Sequence, residues 1–187
     1  MKKRAVYTSI CLLSGVLLLA NGSYIKLKAY AAQLLLEHSW HVSIKENELA
    51  PPWPWADTWP VARLQVPRLG GDDIVLAGAK GNSLAFAPGH VTHTSLPGQV
   101  GISIISAHRD THFAYLKQIQ VDDKVIVTDA NGVQSVYKVI NLQVIDEKQF
   151  RMSQDITRSI LILTTCYPFE AITPGGPLRY LVTTEKI

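Results

Sequence analysis

The 187-residue chain is poor in cysteine and in charge, and each shortage excludes something. Cys11 and Cys166 are its two cysteines. Cys11 lies in an uncharged apolar run, so the rest of the chain has one thiol and no partner for an intramolecular disulfide. Charged residues are 18% of the chain, below the usual share, and the mean hydropathy is +0.11, so some segment is more apolar than an ordinary soluble domain. The excess of +3, from 18 Lys and Arg against 15 Asp and Glu, is used up by Lys2, Lys3 and Arg4. No basic surplus remains to neutralise a phosphate backbone, and no helix-turn-helix, RNA-binding or zinc-finger signature is present, which makes nucleic acid a poor candidate partner. There is no His-Glu-x-x-His run and no acidic loop of the EF-hand kind.

What is present begins with a membrane segment. Ala5 to Ile25 carries no charged side chain, and about 20 apolar residues at ~1.5 Å each cross a hydrocarbon core. The reading is a cytoplasmic basic tip over 1–4, a single-pass anchor over 5–25 and an exported remainder, oriented by the basic triplet. A cleaved signal peptide is the rival, but Leu18-Leu19-Ala20 lacks the small residue three before a cleavage point, and helical spacing continues past it.

Residues 26–56 read as a helical stalk followed by a Trp/Pro-rich linker. Leu27, Tyr30, Ala31, Leu34, Leu35 and His38 recur at helical spacing, a face for packing on the domain or on the bilayer surface. Pro51, Pro52, Pro54 and Pro60 interrupt any regular helix. Trp53, Trp55 and Trp59 between them are expected to staple onto the domain surface, or else to lie at the membrane interface, which indoles favour.

The rest, 57–187, reads as strands. Ala62, Leu64 and Val66 alternate with Arg63 and Gln65 up to Pro67. Asp73 to Ala77, Ile102 to Ser106, Lys124 to Asp129, Val133 to Val144, Ser159 to Cys166 and Arg179 to Thr184 bring the count to seven or eight. Asn131-Gly132 marks a hairpin turn, and a phase shift in the strand after it implies a bulge near Val139. A helix is expected around Thr111 to Ile119, with His112 at its start and Phe113, Leu116 and Ile119 on the core, and a turn at Ser153 to Arg158. Many short strands with few helices imply a mainly β fold, either a barrel or a sandwich.

His108 and Cys166 each close an apolar strand, the position from which loops build a site on a rigid frame. Thiol catalysis needs a Cys with a His nearby and a cation that favours the thiolate. Arg179, opening the last strand, reaches the same rim if the two strands are neighbours, and its fixed charge would suit a thiolate, a peptide carbonyl or an oxyanion. The bland alternative for Cys166 is inert core. His90 and His93, or His108 and His112, have metal-ligand spacing without a helical frame, and no metal site is expected; His90 and His93 read as loop residues lining a pocket or facing solvent.

Leu163-Thr164-Thr165-Cys166, Arg179 and the Ala-His-Arg-Asp-Thr-His-Phe run at 107–113, with Leu96-Pro97-Gly98 before it, resemble the signature of the sortases, membrane-anchored cysteine transpeptidases of bacterial surfaces. The Trp/Pro-rich segment and short chain look most like the branch found in Gram-negative proteobacteria. The resemblance implies a closed eight-stranded β-barrel with one or two short helices, preceded by the transmembrane helix. It also implies acyl transfer without a cofactor. Cys166 would attack a Leu-Pro-x-Thr-Gly-like sorting signal at the C-terminus of a surface protein, His108 would move protons, Arg179 would hold backbone and oxyanion, and an amine of the cell envelope would accept the acyl group. Asp110 is a candidate to orient His108, or an ordinary turn aspartate; Thr165 is a candidate oxyanion contact, or an ordinary strand residue. Ile162 and Ala107 stand where the family often has Thr and Gly, departures that bear on pocket shape and substrate preference. The location implied is the inner membrane with the barrel periplasmic. Two other readings stay open: a cysteine peptidase with water as acceptor, and a non-catalytic barrel binding an extended peptide.

Overall fold

In the computed structural model, which describes residues 2–46, 48–151, 157–173 and 175–187, alternation is visible from the first strand. β1, Pro60–Val66, buries every second residue, because Ala62, Leu64 and Val66 point inward while Arg63 and Gln65 point out. The other strands are β2 (Gly71–Ala77), β3 (Gly89–His90), β4 (Gly101–Ser106), β5 (Lys124–Asp129), β6 (Gln134–Asp146), β7 (Ser159–Cys166) and β8 (Leu178–Lys186). They close into a barrel in the order β1-β2-β3-β4-β7-β8-β6-β5. Closure removes the exposed edges that a sandwich would have to protect.

Two features of the barrel match the expected pattern. β6 shifts register on β8 between Val139 and Asn141, so the bulge sits where the phase of the sequence slips. The β5–β6 turn falls at Asn131-Gly132, with a different geometry from the two-residue mirror-image turn. The Gly132 amide donates to the Asp129 carbonyl at 3.0 Å. The Asp129 carboxylate accepts from the Asn131 and Val133 amides at 2.9 Å each. Gly132 alone of the Asn-Gly pair takes a left-handed φ, 78°, the position for which glycine is suited.

Two features differ. His90 is in a strand rather than a loop: β3 pairs parallel to β2 and antiparallel to β4. It is squeezed there, since a Cβ on Gly89 would lie 2.3 Å from the Gly78 carbonyl oxygen. The helix expected over Thr111 to Ile119 is a shorter 3-10 turn, Ala114–Gln118. Phe113, Leu116 and Ile119 are buried at a spacing of three, the repeat of that tighter helix. They plug the barrel core formed by Leu64, Val75, Ile105, Val127, Leu161, Leu163 and Val182. Each such side chain contributes about 1.5–3 kcal/mol on burial. Tyr137, fully buried, keeps its hydroxyl satisfied by Ser159 Oγ at 2.9 Å and the Gly98 amide at 3.0 Å. The turn expected at Ser153 to Arg158 lies, over 153–156, outside the described residues.

Helix α1, Lys2–Glu46, contains one segment long and apolar enough to span a membrane. Its lower half lies on the barrel: Leu36 and Trp40 pack with Ile74, Leu76 and Ala87. Arg63 locks the contact, donating to both oxygens of Asp72 at 2.7 and 2.9 Å and to Glu37 of α1 at 3.2 Å. The covered side of the helix is therefore Ala32, Leu36, Ser39, Trp40 and Ser43, with Ser39 and Ser43 bonded to the backbone of Ala50. The expected face of Leu27, Tyr30, Leu34 and Leu35 does not pack on the domain; these residues are exposed. Trp53 meets Phe86 edge-on at 5.0 Å, whereas Trp55 is 83% exposed, so the linker's indoles do not all staple onto the surface.

Candidate active site

β4 and β7 run parallel and in register from Gly101 opposite Ser159 to Ser106 opposite Thr164. The pairing continues one step further, with the Ala107 amide donating to the Thr164 carbonyl at 3.2 Å. The Thr165 hydroxyl then donates to the Ala107 carbonyl at 2.7 Å, in the buried interior. These two bonds tie the residue before His108 to the residues before Cys166. On the other side of β7, Cys166 faces Arg179 across the last rung of the antiparallel pair with β8. Facing residues carry Cβ atoms about 5 Å apart on one side of a sheet. Three neighbouring strands thus bring His108, Cys166 and Arg179 to one rim.

Alternation decides which way each side chain points. Leu161, Leu163 and Thr165 face the barrel interior, so Ile160, Ile162, Thr164 and Cys166 face outward. The outward residues are not bare: Ile104, Ile160, Ile162 and Leu181 form a buried cluster, flanked by Val91, Ile102, Ile145 and Phe150. An apolar strip therefore runs along the outside of β4 and β7, covered by Val91, Ile145 and Phe150, with Thr164 between it and the thiol. Cys166 is free and half-buried, and His108 is exposed.

Arg179 is held at the rim by its neighbours. Its Nη1 donates to the Gly176 carbonyl at 2.6 Å and the Leu178 carbonyl at 3.0 Å, and its Nη2 pairs with the Glu147 carboxylate. Thr165 lies on the opposite face of β7 from Cys166, spending its hydroxyl on Ala107. Asp110 is exposed, and among the described residues no hydrogen bond joins it to His108. His90 is buried, its Nε2 within 2.9 Å of the Ser95 carbonyl and 3.0 Å of Thr94 Oγ1. His90 and His93 both line a cavity of about 540 Å³ with Trp59, Leu96 and Asp129, none of which belongs to the rungs that hold Cys166 or Arg179. Among the described residues no three His, Cys, Asp or Glu side chains gather as metal ligands.

The rim also uses residues that the sequence did not single out. Arg109, next to His108, is buried, and its Nη2 donates to the Ala171 and Thr173 carbonyls at 2.8 Å each. Lys117 pairs with Glu170. The segment after β4 therefore grips the β7–β8 loop at two points. Tyr180 stacks on Tyr167 at 6.4 Å and meets Phe169 edge-on at 5.4 Å, closing this end of the barrel; burial pushes the Tyr180 phenol pKa up. His112 Nδ1 lies 3.0 Å from Asp73, which also accepts from the Tyr115 hydroxyl at 3.1 Å, so the same segment is pinned to β2. Burial, and then the Asp73 charge, raise the Tyr115 pKa. The adjacency of Arg109 to His108 was the one available signal for these contacts.

A family model described as a sortase domain matches residues 64–187. Sortase D of Bacillus subtilis (strain 168) is 24% identical over 125 residues, 66% of this chain and 62% of that protein; the chain thus spans about three-fifths of this curated relative's length. Among solved structures, a Clostridium perfringens Sortase D5 transpeptidase aligns with a TM-score of 0.68 at 18% identity, covering 84% of this chain and 99% of that one. Sortase A from Corynebacterium diphtheriae aligns at 0.64 with 21% identity, over 71% of this chain and 63% of that one. Sortase C-1 from Actinomyces oris aligns at 0.59 with 26% identity, over 68% and 72%. The first two of these structures, at such low identity, speak to the fold alone.

Proposed function

The chain belongs to the sortase family, and from that premise we propose that it is a cysteine transpeptidase acting at the rim of His108, Cys166 and Arg179. Its substrate is an extended peptide of the Leu-Pro-x-Thr-Gly kind at the end of a surface protein, and its acceptor is an amine of the cell envelope. The observation that supports this most is the row of three strand ends: Cys166 and Arg179 on one rung, with His108 two residues past the last rung of the strand pair beside it.

The partly buried Val91, Ile102, Ile145 and Phe150 over the outer face of β4 and β7 suit the apolar residues of such a signal. With the peptide beside Cys166, the thiolate attacks the threonine carbonyl carbon, and Arg179 stabilises the oxyanion. The carbon–nitrogen bond breaks as His108 gives its proton to the leaving amine. An incoming amine attacks the thioester, loses a proton to His108, and the thiolate leaves. The exposure of His108 supports a role facing both leaving and incoming amines.

The charge-free run before Lys26 supports an anchor over 5–25, with the basic tip inside and the barrel on the outer side of the membrane. The Trp/Pro-rich segment supports placement in the branch found in Gram-negative bacteria. The test is a reaction of the full chain with a panel of such peptides, with and without an amine. An amine-dependent ligated product that Cys166→Ala fails to make is expected. Release of the hydrolysed peptide alone, whatever amine is added, would make the protein a peptidase; no product at all would remove the enzymatic reading.

A further inference from the structure

Beyond Ile25, helix α1 carries two apolar faces, and the barrel uses one of them. Leu36 and Trp40 pack with Ile74, Leu76 and Ala87, while Leu27, Tyr30, Leu34 and Leu35 are left exposed. At about 100° per residue, Leu27 and Leu34 stand roughly 160–180° around the helix from Leu36, so the uncovered face points away from the barrel. Lys26, Lys28, Gln33 and Glu37, the polar residues of this stretch, lie to either side of that face, and none falls on it.

The spacing along the uncovered face is that of a seam between two helices. Leu17, Ala20, Tyr24, Leu27, Ala31 and Leu34 alternate steps of three and four, the repeat that holds one stripe of a helix on a partner helix. The residues that flank such a seam meet as Ser23 with Lys28 and Tyr30 with Leu35, so no like charges oppose each other across it. The bilayer does not cover this face. If the charge-free run from Ala5 to Ile25 fills the hydrocarbon, Leu34 stands about 14 Å further along the helix, beyond a headgroup layer of roughly 5–8 Å.

We infer that the face is the contact between two copies of this chain: α1 pairs with α1 of a second molecule as a parallel coiled coil, through Tyr24, Leu27, Ala31 and Leu34. Two copies anchored in one membrane by the same helix point the same way, which is the parallel arrangement this repeat serves. A two-fold axis along the helix pair then sets Leu27 on Leu27 and Leu34 on Leu34. The barrels lie on the outer sides of the pair, clear of one another, because each sits on the far face of its own helix. The exposed side chains from Leu17 to Leu35 supply roughly 600 Å² on each copy, together about the 1,200 Å² at which stable interfaces begin. The inference rests on the anchor reading given above.

The test uses the full chain with Cys11→Ser and Cys166→Ala, which removes both native thiols, carrying one new cysteine at a time and oxidised in reconstituted vesicles. Resistance to alkaline carbonate extraction reports the anchor separately. A disulfide needs Cα atoms closer than about 7 Å. Dimer yield is therefore expected to peak at Leu27→Cys, Ala31→Cys and Leu34→Cys, at least ~5-fold above Lys26→Cys and Gln33→Cys, which turn away from the seam. Adding Leu27→Asn and Leu34→Asn to the Ala31→Cys chain is expected to cut its yield by at least ~5-fold; both leucines are exposed, so the fold is kept. In a carbonate-resistant chain, equal yields at all five positions, a peak at Lys26 or Gln33, no cross-link at all, or an unchanged yield with the two asparagines would each overturn the pairing and leave the anchor standing. Extraction by carbonate would overturn both.

Discussion

Arg179 spends its guanidinium on Glu147 and on two carbonyls of its own loop. Three of its five N–H donors are taken, so the Nε–H and one Nη2–H remain for an oxyanion beside Cys166, while the Glu147 carboxylate competes for the same charge. Partly exposed ion pairs are worth up to about 1 kcal/mol, so Glu147→Gln is expected to raise kcat/KM by up to roughly fivefold, whereas Arg179→Ala lowers it by at least ~100-fold. A fall in Glu147→Gln would make the glutamate a positioning residue. Thr165 has the opposite character: its buried hydroxyl holds the Ala107 carbonyl. Thr165→Val keeps the shape and removes the donor, at an expected cost of about 1–3 kcal/mol in urea unfolding. Cys166 and Arg179 were legible because each bounds a short apolar strand. Arg109 and Glu147 were not, since a charged residue in a loop shows nothing about its burial or its partner until the chain has folded.

Among the elements, β1, β5, β6 and β7 could be read from alternation or from short apolar runs bounded by turns. β3 could not, because two residues carry no period and pair only once β2 and β4 have come to either side. Its tightness leads to a prediction: Gly89→Ala must push the 78–79 backbone away, since the new Cβ lies 2.3 Å from Gly78 O and 2.8 Å from the Ala79 Cα. A loss of about 1–3 kcal/mol is expected, the range for overpacking a close contact, read as a lower urea midpoint. A neutral substitution would show that the barrel does not close through β3. Helix α1 was legible as a helix but not in its facing, because apolar residues surround it on all sides. The side chains spaced as a packing stripe turn outward, and the barrel takes the neighbouring stripe of Ala32, Leu36 and Trp40.

For the whole molecule, two ion pairs set the acid limit. Hydrogen bonds from Arg63 hold the Asp72 carboxyl below the usual carboxylate range, and hydrogen bonds from Arg68 do the same for Asp123. A depressed folded pKa adds stability above the unfolded value of about 4, and that stability is lost as pH falls through the folded value. The barrel is therefore expected to weaken on acidification below about pH 4, and Asp72→Asn with Asp123→Asn to flatten that limb in a thermal melt. An unchanged acid limb in the double variant would mean that other carboxylates carry it.

The barrel, the long apolar N-terminal helix and the strand-end row support one proposal, that the Cys166 thiol carries the acyl group with His108 and Arg179 beside it. The direct measurement is the intact mass of the full chain after mixing with sorting-signal peptides and no amine. A covalent acyl adduct on Cys166 that disappears when an amine is added is expected. It is absent in Cys166→Ala and forms far more slowly in His108→Ala and Arg179→Ala. An adduct that forms at the same rate without His108 and Arg179, or a thiol that stays unmodified by every peptide, would contradict it.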